Sequence, residues 1–200
     1  MSHLPQGAQL RPGFPPLRRA RRRRPGENLT IWQALPAVEL AFLCWGTIRC
    51  CWTHWTGLRT IGCISAPRGC LYCFDQLPRP KWYLGAYSLQ HGEKRRQTPG
   101  RCVAELTLAA RRGCPDLAAP PADFWGRRLL LGRLDRKAKS EAYARLKPVD
   151  AEGLPAGRPV EPRQVLRCVW TEGPGALTVD QVDLALDLAA AWEAAQGGEL

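Results

Sequence analysis

The chain has 200 residues, of which 45% are hydrophobic, so it can form a hydrophobic core and is not disordered throughout. It carries 29 lysines and arginines against 18 acidic residues, and the formal net charge of +11 favours a polyanion as partner. The 9 cysteines are odd in number and irregularly spaced, which argues against a disulfide scaffold. They favour a cytoplasmic protein with metal-bound or buried thiols.

The first 27 residues form a basic segment without an acidic residue before Glu27. Arginines cluster from Arg18 to Arg24, and prolines interrupt the segment repeatedly. This composition predicts a disordered basic arm over residues 1–27. The arm has two interpretations of equal weight, a nucleic-acid contact and a solvated extension.

Residues 31–48 are mostly apolar and follow the basic arm, as a membrane anchor would. Glu39 lies at the centre of this run and Pro36 interrupts it. A charge at the centre of a spanning helix costs about 2.5–3.5 kcal/mol, and the run is shorter than a usual span. We therefore expect no membrane anchor.

The body of the chain, residues 28–170, has the pattern of short strands separated by turns. Strands are predicted at residues 48–55, 81–89, 101–108, 127–134, 141–147 and 164–170. This pattern predicts a mainly β fold, a small OB-like barrel with an inserted zinc loop at residues 54–73.

The zinc loop is the most informative motif. It contains one histidine and three cysteines in the order His-x8-Cys-x6-Cys-x2-Cys, namely His54, Cys63, Cys70 and Cys73. A structural zinc ion takes four nitrogen or sulfur ligands in a tetrahedron, and this segment supplies all four. The residues therefore predict a structural Zn²⁺ site, with Cys51 as an alternative to His54. Ordinary core cysteines are the other interpretation.

Residues 171–200 are predicted to form a linker and an acidic helix. Thr178 and Gln181 have the spacing of a capping box, and Leu184, Leu188 and Trp192 form an apolar stripe. This helix either docks on the barrel or binds a protein partner through residues 178–200.

Cations lie beside aromatic residues on the predicted strands, a combination that holds single-stranded nucleic acid. The candidate nucleic-acid-binding residues are Arg59, Arg79, Lys81, Trp82, Tyr83, Arg133, Arg136, Lys137 and Lys139. The tryptophans have a second interpretation as core residues, because tryptophan is usually well buried.

The segment from Thr53-His54-Trp55 to Gly69-Cys70-Leu-Tyr-Cys73, followed by Lys81-Trp82-Tyr83, resembles the zinc-bearing segment of T4-type phage single-stranded DNA-binding proteins. It is also similar to bacterial and mobile-element proteins that carry a His-Trp…Cys…Cys-x2-Cys segment. The resemblance implies an OB-fold whose zinc ligands are one histidine and three cysteines. It also implies a basic amino-terminal region for self-association and an acidic carboxy-terminal region that recruits replication partners.

These features predict a non-enzymatic, zinc-containing protein that binds single-stranded nucleic acid in DNA replication, recombination or a mobile element. The alternative is a zinc-stabilised module that docks a partner through its acidic helix. A metalloenzyme is disfavoured, because four ligands close the site and no acidic residue lies between His54 and Cys73. A duplex-reading regulator is disfavoured too, because the well-patterned helix is acidic.

Overall fold

The computed structural model describes residues 30–35, 38–64, 70–89, 100–134, 142–149, 155, 157–173 and 175–195. The predicted basic arm and the loop residues Arg136, Lys137 and Lys139 lie outside this part of the chain. The strands are β1 (Ile31–Trp32), β2 (Leu40–Trp55), β3 (Thr60–Gly62), β4 (Arg79–Ser88), β5 (Gly100–Thr107), β6 (Arg127–Arg133) and β7 (Ala142–Val149). The helices are α1 (Leu108–Arg112), α2 (Pro121–Phe124), α3 (Pro162–Trp170) and α4 (Val179–Ala195), with 3₁₀ turns at Leu71–Phe74 and Pro115–Ala118.

The strands form one sheet in the order β1-β5-β4-β2-β6-β7, and β3 pairs with β2 off this path. Strand β2 is 16 residues long and pairs with β6 near its start and with β3 at its end. Its register against β4 shifts between Cys44 and Ile48, an irregularity of the kind that bends a strand. The sheet curls into a half-barrel, so the predicted mainly β class is confirmed.

Both faces of the sheet are covered. One face packs Phe42, Leu84 and Leu106 into a core with Phe124 of α2. The other face packs Tyr83 against Trp170 of α3, with the two rings 5.7 Å apart and nearly perpendicular. Because the strands are buried on two sides, alternation along a strand does not separate core residues from surface residues.

The predicted strand at residues 164–170 is wrong, because these residues belong to α3. Val165, Leu166 and Trp170 are buried on one side of that helix. Leu166 and Trp170 are four residues apart, with Val165 next to Leu166, and this spacing places all three on one face of a helix. Pro162 at the first helical position also favours a helix.

The predicted carboxy-terminal helix is confirmed as α4, and it docks on the sheet. The Thr178 and Gln181 side chains each accept a hydrogen bond from the other residue's backbone N–H, at 3.2 and 2.9 Å, which is the capping box. The predicted apolar stripe is only partly covered: Trp192 packs its ring 5.0 Å from that of Trp52, whereas Leu184 is 39% exposed. The buried face of the helix contains Val182, Ala185, Leu186 and Ala189. Among the described residues, no helix has the length and hydropathy needed to cross a bilayer.

Candidate metal centre

The four predicted ligands come together at one end of β2. One donor atom from each of His54, Cys63, Cys70 and Cys73 lies within 4.8 Å of the other three. The first three residues are buried, and Cys73 is half-buried. The site can therefore hold a metal ion, as the spacing of the motif predicts.

Two of the six distances between donor atoms are close to those of a tetrahedral zinc site. With zinc–sulfur bonds of about 2.3 Å and zinc–nitrogen bonds of about 2.0–2.1 Å, two sulfurs lie about 3.8 Å apart, and a sulfur and a nitrogen about 3.6 Å apart. The sulfurs of Cys63 and Cys73 are 3.6 Å apart, and Cys73 Sγ is 3.4 Å from His54 Nε2. These two distances agree with the tetrahedron to about 0.2 Å, and the remaining donor pairs lie within 4.8 Å.

The β2–β3 hairpin delivers two of the ligands. Residue 57 has φ of 86° and is glycine, which adopts this conformation without steric cost. The turn is closed by a hydrogen bond from the Thr56 N–H to the Arg59 carbonyl at 3.0 Å. His54 is the last residue but one of β2, and Cys63 directly follows the paired strand β3.

The other two ligands come from the 3₁₀ turn at Leu71–Phe74. A hydrogen bond from the Cys73 N–H to the Cys70 carbonyl, 2.9 Å long, turns the chain so that both thiols face one point. Within this 3₁₀ turn no residue is fully buried, and Leu71 and Phe74 are 82% and 84% exposed. The side chain of Gln76, just after the turn, donates to the Trp55 carbonyl at 2.8 Å, so this contact and the ligand cluster both join the turn to β2.

The His54 imidazole is in the form that binds a metal. Burial lowers the pKa of this side chain, so the ring stays neutral near pH 7. Its Nδ1 atom is buried and has no hydrogen-bond partner among the described residues. The ring packs against Tyr72, 5.9 Å between centroids, and this packing orients it in place of an outer hydrogen bond.

Cys51, the alternative ligand, does not belong to the cluster of four donor atoms. Its sulfur lies 3.7 Å from the carbonyl of Ala185 in α4, within the second core. Burial raises the pKa of Cys51 well above its ordinary value, so the thiol stays protonated. Burial also raises the pKa of Cys44 and of Cys102 to about 12, and these residues pack in the other core.

Some of the predicted nucleic-acid-binding residues are accessible to solvent and others are buried. Arg79 is exposed beside the metal turn, and Arg133 is half-buried on β6. Trp82 is 3% exposed and Tyr83 is fully buried, so neither ring offers a face to a base. These two residues are corrected to core residues, because both faces of the sheet are covered.

Arg59 and Lys81 are held by contacts within the protein. The Arg59 guanidinium donates to the carbonyls of Val169, at 3.1 Å, and of Glu172, so it caps the end of α3. Lys81 forms an ion pair with Glu105, a buried residue that the sequence did not single out. Cross-strand register brings this pair together, and register cannot be read from local spacing.

The segments around the metal also present apolar side chains to solvent. The exposed fractions are 52% for Trp55, 78% for Leu58, 82% for Leu71, 84% for Phe74 and 86% for Leu77. We call these five residues the knuckle surface. Exposed apolar residues concentrated on two segments that the metal site brings together are typical of an interaction site.

Comparison of the chain with protein-family models, with curated proteins and with solved structures gives no match. The function is therefore inferred from the geometry of the site and from the charge of the chain.

Proposed function

We propose that this protein binds single-stranded nucleic acid without enzymatic activity and that a structural Zn²⁺ ion holds its binding surface in place. The observation that carries this proposal is the knuckle surface. It presents Trp55 and Phe74 from segments that the four metal ligands tie together. Exposed aromatic rings beside cations are the combination that stacks bases and follows a phosphate backbone.

The donor set supports zinc as the metal. Three cysteines and one histidine whose donor atoms lie within 4.8 Å of one another suit Zn²⁺, and four protein ligands leave no open position for substrate. The ion would neutralise part of the thiolate charge and fix the 3₁₀ turn to the β2–β3 hairpin. A closed site of this kind supports a structural role.

The charge of the chain supports a nucleic-acid partner. Arg79 is exposed at the start of β4, and the net charge of the whole chain is +11. Cations that neutralise phosphates release counterions, so affinity falls with salt by a slope of about −0.7 for each phosphate on a single strand. Arg59 stabilises α3, so the phosphate contacts are assigned to Arg79 and the other exposed cations.

The curled sheet supports an OB-like arrangement. A single long strand, β2, changes partners along its length and bends at the irregularity between Cys44 and Ile48. Such a strand lets one sheet curl towards a partly open barrel. The knuckle surface then lies at one end of this barrel, beside the end of β2.

Docking of a protein through α4 receives less support. The buried face of α4 packs on the sheet, and Asp183 and Asp187 pair with Arg163 and Arg167 of α3. A partner would meet only the remaining face of the helix, where Leu184 is exposed. We therefore retain the single-strand proposal as the main function.

Fluorescence anisotropy of a labelled oligothymidylate tests the proposal. We expect the full chain to prefer the single strand over a duplex competitor, and Trp55→Ala and Phe74→Ala each to weaken binding about tenfold, because each stacked base contributes roughly 1–3 kcal/mol. Leu184→Ala, an exposed leucine on α4, is the matched control. A variant with alanine at residues 21–24 separates the contribution of the basic arm.

Binding that does not change with salt, or that is equal for duplex, would contradict the proposal. Binding that disappears in the arm variant and is unchanged in Phe74→Ala would assign the affinity to the arm instead of the folded body. Loss of affinity in the Leu184→Ala control would instead assign the contact to α4.

A further inference from the structure

Strands β6 and β7 carry a cluster of cations on one side of the sheet. Their antiparallel register places Arg128 opposite Lys147. It also places Leu130 opposite Arg145. The side chains that alternate with these residues, such as Leu129, belong to the core on the other side of the sheet. Because successive side chains of a strand point to opposite sides, the three cations share one side of the sheet.

This side of the sheet is accessible at β6 and β7. Arg145 and Lys147 are exposed, and Arg128 is half-buried. Helices α3 and α4 cover the same side around Tyr83, in a core that includes no described residue of β6 or β7. We call Arg128, Tyr143, Arg145 and Lys147 the β6–β7 outer face. Its cations can therefore meet a partner without any movement of the helices.

An aromatic ring orients one of these cations without neutralising its charge. The guanidinium carbon of Arg145 lies 4.8 Å from the centre of the Tyr143 ring, which is a cation–π contact. The Tyr143 hydroxyl donates to Glu39 Oε2 at 3.1 Å, so the ring is fixed at its other end. None of the ion pairs between described residues includes Arg145 or Lys147. Both charges are therefore available to an external anion.

The cations belong to a row that crosses several strands. Arg128, opposite Lys147, also lies opposite Leu43 of β2, and Leu43 lies opposite the half-buried Tyr87 of β4. With neighbouring strands about 4.8 Å apart, the row from Lys147 to Tyr87 is about 14 Å long. Like charges directly opposite each other do not stabilise a strand pair. An extended chain with repeated negative charges fits such a row better than a single small anion does.

We propose that the β6–β7 outer face is a second contact surface for the single strand, at which Arg145 and Lys147 bind its phosphates. This inference rests on the proposed function and adds a surface separate from the knuckle surface. Strand β2 connects the two surfaces, because its start pairs with β6 and its end carries Trp55. Leu43 and Trp55 are at most about 40 Å apart along an extended strand. The nucleic acid must therefore be long enough to reach both.

The salt dependence of binding by the full chain tests the inference. The probe is a labelled oligothymidylate of about 16 nucleotides, the upper end of the range that one OB fold covers. Anisotropy titrations at several salt concentrations give the slope of log affinity against log salt. Each lost phosphate contact makes this slope shallower by about 0.7 on a single strand. We therefore expect a change of about 0.7 in Arg145→Gln and again in Lys147→Gln.

Arg112→Gln is the matched control. It removes the same charge from the chain, and Arg112 is exposed on α1, which packs in the core on the other side of the sheet. We expect its slope to equal that of the original chain. All of these side chains are exposed, so the three variants should fold alike. The basic arm is present in every protein, so a difference in slope reports the position of the lost charge on the folded body.

The outcomes separate this inference from the proposed function. Slopes that stay unchanged in Arg145→Gln and Lys147→Gln would overturn the second surface and leave single-strand binding intact. An equal change of slope in Arg112→Gln would also overturn it, because the overall charge of the chain would then explain the effect. Failure of the original chain to bind the probe would overturn both proposals.

Discussion

Replacing Cys73 by serine is the sharpest test of the metal centre. Cys73 Sγ lies between two other donors, 3.6 Å from Cys63 Sγ and 3.4 Å from His54 Nε2. A structural zinc site has a binding free energy of about 10–16 kcal/mol, which corresponds to about 2–8 kcal/mol of stability at about 1 μM free metal. We expect Cys73→Ser to lose most of this contribution, because serine is a poor zinc ligand.

The effect should be visible in two measurements. For a chain of this size, even a loss of about 2 kcal/mol lowers the melting temperature by about 4–8 °C. Mass spectrometry under native conditions should show one zinc ion on the original chain and none on Cys73→Ser. Cys168→Ser is the matched control, because Cys168 is exposed and lies on α3 away from the ligands. Unchanged zinc content and melting in Cys73→Ser would refute the ligand assignment.

Three further predictions follow from thiols, charge and packing. With metal bound, Ellman's reagent should react quickly with Cys168 alone. After a chelator removes the metal, the three ligand cysteines should react as well. Fast reaction of all four cysteines before chelation would contradict a closed site. The hydrogen bond from Arg167 and its charge lower the pKa of Asp183, so its stabilisation is present above the unfolded pKa of about 4 and is lost as the pH falls below it. Asp183→Asn should flatten this acid dependence in a melting series, and an unchanged curve would count against the pairing of α3 with α4. A Cβ atom on residue 85 would lie 2.1 Å from the Val160 carbonyl oxygen, so Gly85→Ala should lower the free energy of unfolding by about 1–3 kcal/mol in a urea titration. Gly113→Ala meets nothing closer than 3.4 Å and is its control; equal stability of both variants would refute the close approach.

The metal centre was predictable because its information is local. His54, Cys63, Cys70 and Cys73 lie within 20 residues, and only a turn at each pair is needed to bring the donors together. Five predicted strands fall on β2, β4, β5, β6 and β7, although the prediction at residues 48–55 covers only the second half of β2. The capping box at Thr178 correctly marked the start of α4. These features depend on neighbours along the chain.

The features that the sequence did not predict depend mainly on contacts between residues that are distant along the chain. The rings of Trp82 and Tyr83 lie on opposite faces of β4, and a prediction of exposed aromatic residues fails because helices cover both faces. The Lys81–Glu105 pair depends on the register of β4 against β5. Helix α3 is different: Glu161 followed by Pro162 and the spacing of its apolar residues were helix signals, and they were misread as a strand.

Removal of the metal tests the central claim most directly. The full chain is titrated into a labelled single-stranded oligonucleotide before chelation, after chelation and after zinc is added back. The account predicts that chelation weakens binding at least about tenfold and that zinc restores it, because the four ligands join the turn carrying Phe74 to the hairpin carrying Trp55. Unchanged affinity in the metal-free chain would contradict the claim that the metal centre holds the binding surface.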